Sequence, residues 1–169
     1  FIVTIDADCR YPENWVSSMV AYQQKTTSDL ILGPVDFHSE NAAFHQLQNL
    51  EFLSLIGSGA GAAGISNPIF ANGANLLFSH QAYDEVKIDK EEQASGDDVF
   101  LLHAFKKSGK KIRFLKSRDA ICKTHPPSDI SRFIQQRKRW ASKARYYNDG
   151  DSIITSLIVF LMSFTLLLT

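Results

Sequence analysis

The residues best suited to chemistry are two pairs of carboxylates. Asp6-Ala7-Asp8 follows the apolar run of residues 1–5. Side chains two apart on an extended chain fall on the same side, so the two acids can act together. In open α/β sheets ligands bind beyond the carboxyl ends of strands, which is where this pair stands. A hard divalent cation such as Mg²⁺ or Mn²⁺ takes oxygen ligands and bridges well to phosphates. Acids at strand ends also form turns, so the pattern by itself leaves both readings open. The second pair, Asp97-Asp98, follows Gly96 at a predicted helix start. Acids in a first turn suit the helix dipole, and a carboxylate there can also act as general base toward a hydroxyl within hydrogen-bond reach.

Three further groups stand near these acids in the predicted order of elements. Gln136-Arg137-Lys138-Arg139-Trp140 lies on a long predicted helix, and Gln136, Arg139 and Trp140 share one face by their i,i+3 and i,i+4 spacing. An amide, a guanidinium and an indole on one face suit a pyrophosphate with a ring stacked nearby. The same sequence also reads as a basic amphipathic helix on anionic headgroups. Asn72-Gly73-Ala74-Asn75 is a turn entering a strand, where glycine lets a ligand approach the backbone. His125 ends a strand and could face the site, whereas His38, His45, His80 and His103 read as surface or packing residues. Gly57-Ser58-Gly59-Ala60-Gly61 lacks the following Gly-Lys-Ser/Thr of a phosphate loop.

The elements that must position these groups alternate. Residues 1–5 read as a buried strand, 12–24 as a helix, and 29–37 as a strand bent or at an edge because Gly33-Pro34 interrupts it. Residues 41–56 read as a helix with Phe44, Leu47, Leu50 and Phe52 turned inward, and 57–64 as a small-residue loop. A strand at 74–78, a helix at 97–108 closed by Gly109, strands at 111–115 and 120–124, and a helix at 128–147 follow. This alternation predicts an α/β fold with a mainly parallel sheet.

The length of 169 residues fits one domain with an appendage, and the 44% hydrophobic and 21% charged composition is that of a globular chain. Net charge is zero, which excludes a strongly basic nucleic-acid binder, and no nucleic-acid partner is expected. The zero hides a split. Between His103 and Asn148 lie fourteen basic residues against Asp119 and Asp129, whereas fourteen acids precede His103 with only Arg10, Lys25, Lys87 and Lys90. Such a split fits a metal-and-phosphate site, a membrane surface or nucleic acid. Cys9 and Cys122 are too few for a disulfide scaffold, and a reduced, cytoplasm-facing setting follows. From Ser152 to Thr169 no charge occurs, and as a helix this run spans about 27 Å, close to a hydrocarbon core. It predicts a membrane helix, with a buried core helix as the other reading. The basic residues before it would then lie on the cytoplasmic side. The chain opens inside an apolar run without Met and closes inside another, as expected for a piece of a longer protein.

Taken in order, these motifs resemble those of the family-2 glycosyltransferases, which have the GT-A fold. The first strand with Asp6-Ala7-Asp8 looks like that family's Asp-x-Asp, Asn72-Gly73-Ala74-Asn75 like its acceptor-side glycine loop, and Gly96-Asp97-Asp98 like its Glu-Asp motif with Asp97 in place of Glu. Gln136-Arg137-Lys138-Arg139-Trp140 resembles the Gln-(Gln/Arg)-x-Arg-Trp motif of the membrane-integrated, often polysaccharide-making members. The resemblance implies a Rossmann-like GT-A core in residues 1–127, lacking the preceding nucleotide-binding half. Residues 128–150 would form the basic helix, and 151–169 a truncated transmembrane helix.

It implies an inverting transfer of a sugar, of the hexosyltransferase type, from a nucleotide-diphosphate sugar to a glycan or lipid-linked acceptor at the inner membrane. Asp8 would hold Mg²⁺ or Mn²⁺ together with His125, Asp6 would support the metal or hold the ribose, and Asp98 would be the base. Gly73, Asn75, Asp97, Gln136, Arg137, Arg139 and Trp140 would bind donor or acceptor, and membrane lipids would be partners. Residues 1–169 alone would bind nucleotide weakly without turnover. Two other classes stand beside this. A metal-dependent phosphohydrolase of the haloacid dehalogenase type would use Asp6 as nucleophile, but Arg10 stands where such enzymes carry Thr or Val. A non-catalytic membrane-docking module would need only the basic helix and residues 152–169.

Overall fold

The computed structural model describes residues 1–38, 42–86, 97–144, 149–155 and 157, without the side chains of residues 97, 143 and 144. Its elements are β1 (Ile2–Thr4), α1 (Trp15–Thr26), β2 (Leu30–Leu32), β3 (Val35–Phe37), α2 (Ala43–Gly64), β4 (Leu76–Phe78), α3 (His80–Glu85), α4 (Asp97–Lys107), β5 (Ile112–Phe114), a 3₁₀ turn (Arg118–Ala120), β6 (Cys122–Thr124) and α5 (Ile130–Ala144).

Alternation along the strands sorts the core into layers. Leu30, Leu32, Leu76 and Phe78 turn to one face and pack against Leu102 and Phe105 of α4. Ile31 and Leu77 turn to the other and meet Trp15 and Met19 of α1. The main sheet thus has an apolar layer on each side, and its strand order is β1-β4-β2-β5. At Gly33-Pro34 the chain leaves this sheet and re-forms as β3, which pairs with β6 in a second, two-stranded sheet. Phe52 and Ile56 of α2 cover that second sheet together with Val35, Phe37 and Cys122, and Trp140 of α5 packs against the same cluster.

The mixed α/β arrangement with a parallel-containing sheet fits the GT-A-like expectation, but the mainly parallel reading needs correction. β4 runs antiparallel to both β1 and β2, and the parallel pairs are β2 with β5 and β3 with β6. Strand–helix alternation carries no strand direction. Here α2 covers the small sheet, and the chain re-enters the main one at the end where β2 left it, Leu76 pairing with Leu32, so β4 runs back along β2.

Other differences have local causes. β1 is an edge strand rather than a buried one, with Phe1, Val3 and Ile5 exposed. α2 continues through residues 57–64, read above as a loop. Gly59 packs closely there, since a Cβ would meet the Phe70 side chain at 3.3 Å, and Ala63 is buried one turn on. The longer helix is also rotated: its buried stripe is Gln48, Phe52, Ile56, Gly59 and Ala63, which leaves Leu47 and Leu50 exposed. Pairs at i,i+3 occur on both faces of this apolar helix, so periodicity did not fix its orientation. The short α3 has a capping signal, since the Ser79 hydroxyl accepts the Ala82 N–H.

Residues 150–155 are helical. They are held to α4 by Lys106, whose ammonium lies 2.8 Å from carboxylate oxygens of both Asp149 and Asp151. Among the described residues no helix is long and apolar enough to cross a membrane. Residues 156 and 158–169 of the apolar run lie outside them.

Candidate active site

β1 ends in a tight turn in which the Cys9 N–H donates to the Asp6 carbonyl at 3.1 Å. Two attachments fix this turn. Arg10 makes a two-bond antiparallel bridge with Lys123 of β6, at 2.8 and 2.9 Å. The Tyr11 hydroxyl accepts the Asp6 N–H at 3.2 Å and donates to the Ala74 carbonyl at 2.8 Å. Burial pushes the Tyr11 phenol well above its usual pKa, so the hydroxyl stays protonated and keeps that donor bond. Thr124, at the end of β6, donates to the Asp8 carboxylate at 3.3 Å.

The acids converge. Asp98, in the first turn of α4, accepts the Gly73 N–H on Oδ2 at 3.0 Å and the Val99 N–H on Oδ1 at 2.9 Å. The Asp6 carboxyl is held above its usual pKa by burial, then by repulsion from Asp8 and from Asp98, while the Arg139 charge opposes the rise. One electrostatic site therefore gathers Asp6 and Asp8 from the turn after β1, Asp98 from α4, and Arg139 from α5.

Oxygens of Asp6 and Asp8 and the Cys9 sulfur all lie within 4.8 Å of one another. Two exposed carboxylates side by side fit a hard divalent cation, and Cys9 donates its S–H toward Asp8 at 3.9 Å. His125 is not part of that group. Its ring lies against His38 with centroids 4.7 Å apart, and it lines a cleft of about 610 Å³ along α5. His45, Arg132, Gln135, Gln136 and Arg139 line the same cleft.

The basic motif divides by face. Gln136 and Arg139 look into the cleft, whereas Arg137 and Trp140 turn to α2. Arg137 forms a bidentate ion pair with Glu51, and its guanidinium stacks over the rings of Phe133 at 4.5 Å and Trp140 at 4.3 Å. This arginine locks α5 onto α2 and is committed away from a diphosphate, contrary to the ligand-binding expectation. Trp140 turns the same way: its half-buried ring packs against Phe52, 6.4 Å between centroids, at the edge of the core.

Asn75 is corrected as well. It is fully buried, its amide nitrogen donates to the carbonyls of Pro34 and Ala120 at 2.7 and 2.8 Å, and its oxygen accepts the Trp15 indole N–H at 2.9 Å. It pins the turn in place and does not face a ligand. Gly73 does stand at the site, beside Asp98. Asp97 opens α4, its side chain lying outside the described part, as does Gly96. Sequence reasoning missed Tyr11, Thr124, Glu51 and Arg132. Tyr11, an aromatic hydroxyl three residues after Asp8, was the one with a readable signal.

A family model described as Glycosyl transferase family group 2 matches residues 1–169. No curated protein matches the chain.

Proposed function

The chain belongs to glycosyl transferase family group 2, a family of transferases that take a sugar from a nucleotide-sugar donor to an acceptor, and on that premise we propose an inverting, metal-dependent transfer with Asp98 as base. The observation that carries this reading is the convergence of Asp6, Asp8, Asp98 and Arg139 in one electrostatic site. Asp6 and Asp8 hold a divalent cation, Mg²⁺ or Mn²⁺, which when bound neutralises charge on the diphosphate leaving group.

The chain's own residues do the rest. Asp98 is held by the N–H groups of Gly73 and Val99, one on each oxygen, and each oxygen keeps a lone pair for a hydroxyl proton. As the acceptor oxygen bonds to the anomeric carbon, its proton passes to Asp98 and the bond from that carbon to the diphosphate oxygen breaks. Attack opposite the leaving group inverts the anomeric centre. Arg139 faces the charge that develops on the diphosphate and stabilises it.

Membrane attachment belongs to the same proposal. The apolar run that begins at Ser152 follows a segment anchored to α4 by Lys106. The basic residues of α5 favour the cytoplasmic leaflet, so the site faces the cytoplasm and works on a glycan or lipid-linked acceptor as a hexosyltransferase of the Gln-(Gln/Arg)-x-Arg-Trp type. The test is release of nucleoside diphosphate from a panel of nucleotide sugars by the full-length protein in membranes, with and without Mn²⁺. Metal-dependent release from one donor is expected. No release from any donor, together with no Mn²⁺ binding, would reduce the acid pairs to turn and cap residues.

A further inference from the structure

The cleft along α5 is larger than one side chain's reach, and its lining is one-sided in charge. Arg132 and Arg139 lie on it with Gln135, Gln136, His45 and Ser128, and among the described residues no carboxylate lines it. The two arginines are seven residues apart on one helix, or about 10 Å along its axis. Arg132 thus lies about two helical turns from the arginine assigned to the diphosphate, a spacing that leaves room for a second anion.

The surroundings keep Arg132 available. Asp129 pairs with it at 3.6 Å, and that acid is engaged in capping α5 by accepting the Arg132 N–H at 2.9 Å. The Arg132 side chain is 73% exposed, so the ion pair is weak. Guanidinium and amide N–H groups supply the cleft's donors, the Ser128 hydroxyl being spent on Asp129 at 3.0 Å. Gln136 accepts a bond from Arg137 on its amide oxygen at 2.7 Å, which leaves its amide nitrogen as the group the cleft can use. The wall at Pro126-Pro127 is fixed from below, where buried Gln48 donates to the Pro127 carbonyl at 3.1 Å. A pre-formed cleft with guanidinium and amide donors suits a phosphate ester.

We propose that this cleft is an anion subsite that receives a phosphate group carried by the acceptor, with Arg132 as its principal ligand. The inference rests on the transferase reading for the word acceptor, but the site itself is tested by binding. Two sources share this chemistry: a phosphorylated lipid and a soluble glycosyl phosphate.

Affinity of the full-length protein in nanodiscs is measured for dodecyl phosphate and for glucose 1-phosphate, with dodecanol and glucose as uncharged counterparts. The same titrations are run on Arg132→Gln and on Lys138→Gln, an exposed lysine of α5 outside the cleft lining. A nucleotide sugar is titrated in parallel. The expected result is binding of at least one phosphate ester, about tenfold weaker in Arg132→Gln, unchanged in Lys138→Gln, and absent for its uncharged counterpart. Which ester binds names the source. Three results would overturn the proposal: neither ester binds, Arg132→Gln leaves both affinities unchanged, or it weakens the nucleotide sugar as much as the ester. Failure of the wild-type protein to bind any nucleotide sugar would instead count against the transferase reading, and it is read in a separate titration.

Discussion

The Gly73 N–H donates to the Asp98 carboxylate at 3.0 Å, tying the head of α4 to the turn that enters β4. That turn is held to the first acid pair by Tyr11, whose hydroxyl bonds both the Ala74 carbonyl and the Asp6 N–H. Three motifs far apart in sequence are thus joined by bonds between turn backbone and side chains, with the Tyr11 phenol bridging the first turn and the turn before β4.

Gly73 itself tests this arrangement. A Cβ there would sit 3.5 Å from the Asp98 Cβ, an ordinary contact. Gly73→Ala is expected to change stability by less than about 0.5 kcal/mol while raising KM for the acceptor, because the methyl group narrows the approach to Asp98. Thermal unfolding and steady-state kinetics on the same preparation read the two effects apart.

Asn75 is the buried support beneath that turn. Asn75→Ala removes three hydrogen bonds and leaves the Pro34 and Ala120 carbonyls without their amide donor. A loss of about 2–4 kcal/mol is expected, seen as a lowered denaturant midpoint. Gly33→Ala should be destabilising through the same side chain, since its Cβ would fall 2.3 Å from Asn75.

The two arginines of the basic motif should behave oppositely. Arg137→Ala breaks the pair with Glu51 and the stacking on Phe133 and Trp140, and should cost about 1–2 kcal/mol of stability. Arg139→Gln should leave unfolding unchanged and reduce kcat, since Arg139 faces the acid site. Equal losses of stability in both variants would contradict this division.

How much of this was legible in the sequence follows from which interactions are local. The turn after β1 could be read because an apolar run followed by Asp-Ala-Asp is a local pattern, and α4 with Gly109 beyond its end likewise, Gly109 having φ +65°. The split of the basic motif could not, because the partner that turns Arg137 away, Glu51, lies 86 residues back. Residues 57–64 of α2 read as a loop because their composition is that of a loop. The close contact with Phe70 accounts for Gly59 alone, since a Cβ at Gly57, Gly61 or Gly64 would meet nothing. The direction of β4 depends on where the chain re-enters the sheet, which no window of sequence contains.

Acid should loosen the segment leading to the apolar run. Asp149 is partly buried, which alone would raise its pKa, but bonds from Lys106 and Ser152 outweigh this and hold it below the usual carboxylate range. Bonding from Lys106 does the same for Asp151. A lowered folded pKa contributes stability that is present above the ordinary value near 3.8 and is lost as pH falls through the folded value. Amide exchange of residues 150–155 should therefore accelerate, after correction for its intrinsic rate, as pH falls below about 3.8. Lys106→Ala should produce that protection loss already at neutral pH.

The most direct test of the central claim is a paired measurement on Asp98→Asn in the full-length protein: nucleoside diphosphate release with acceptor present, and equilibrium binding of the same nucleotide sugar. Asparagine preserves the shape and can still accept the Gly73 N–H, but it cannot take a proton at neutral pH. Release should fall by at least about 100-fold with donor affinity unchanged. Release near the wild-type rate would show that Asp98 is not the base.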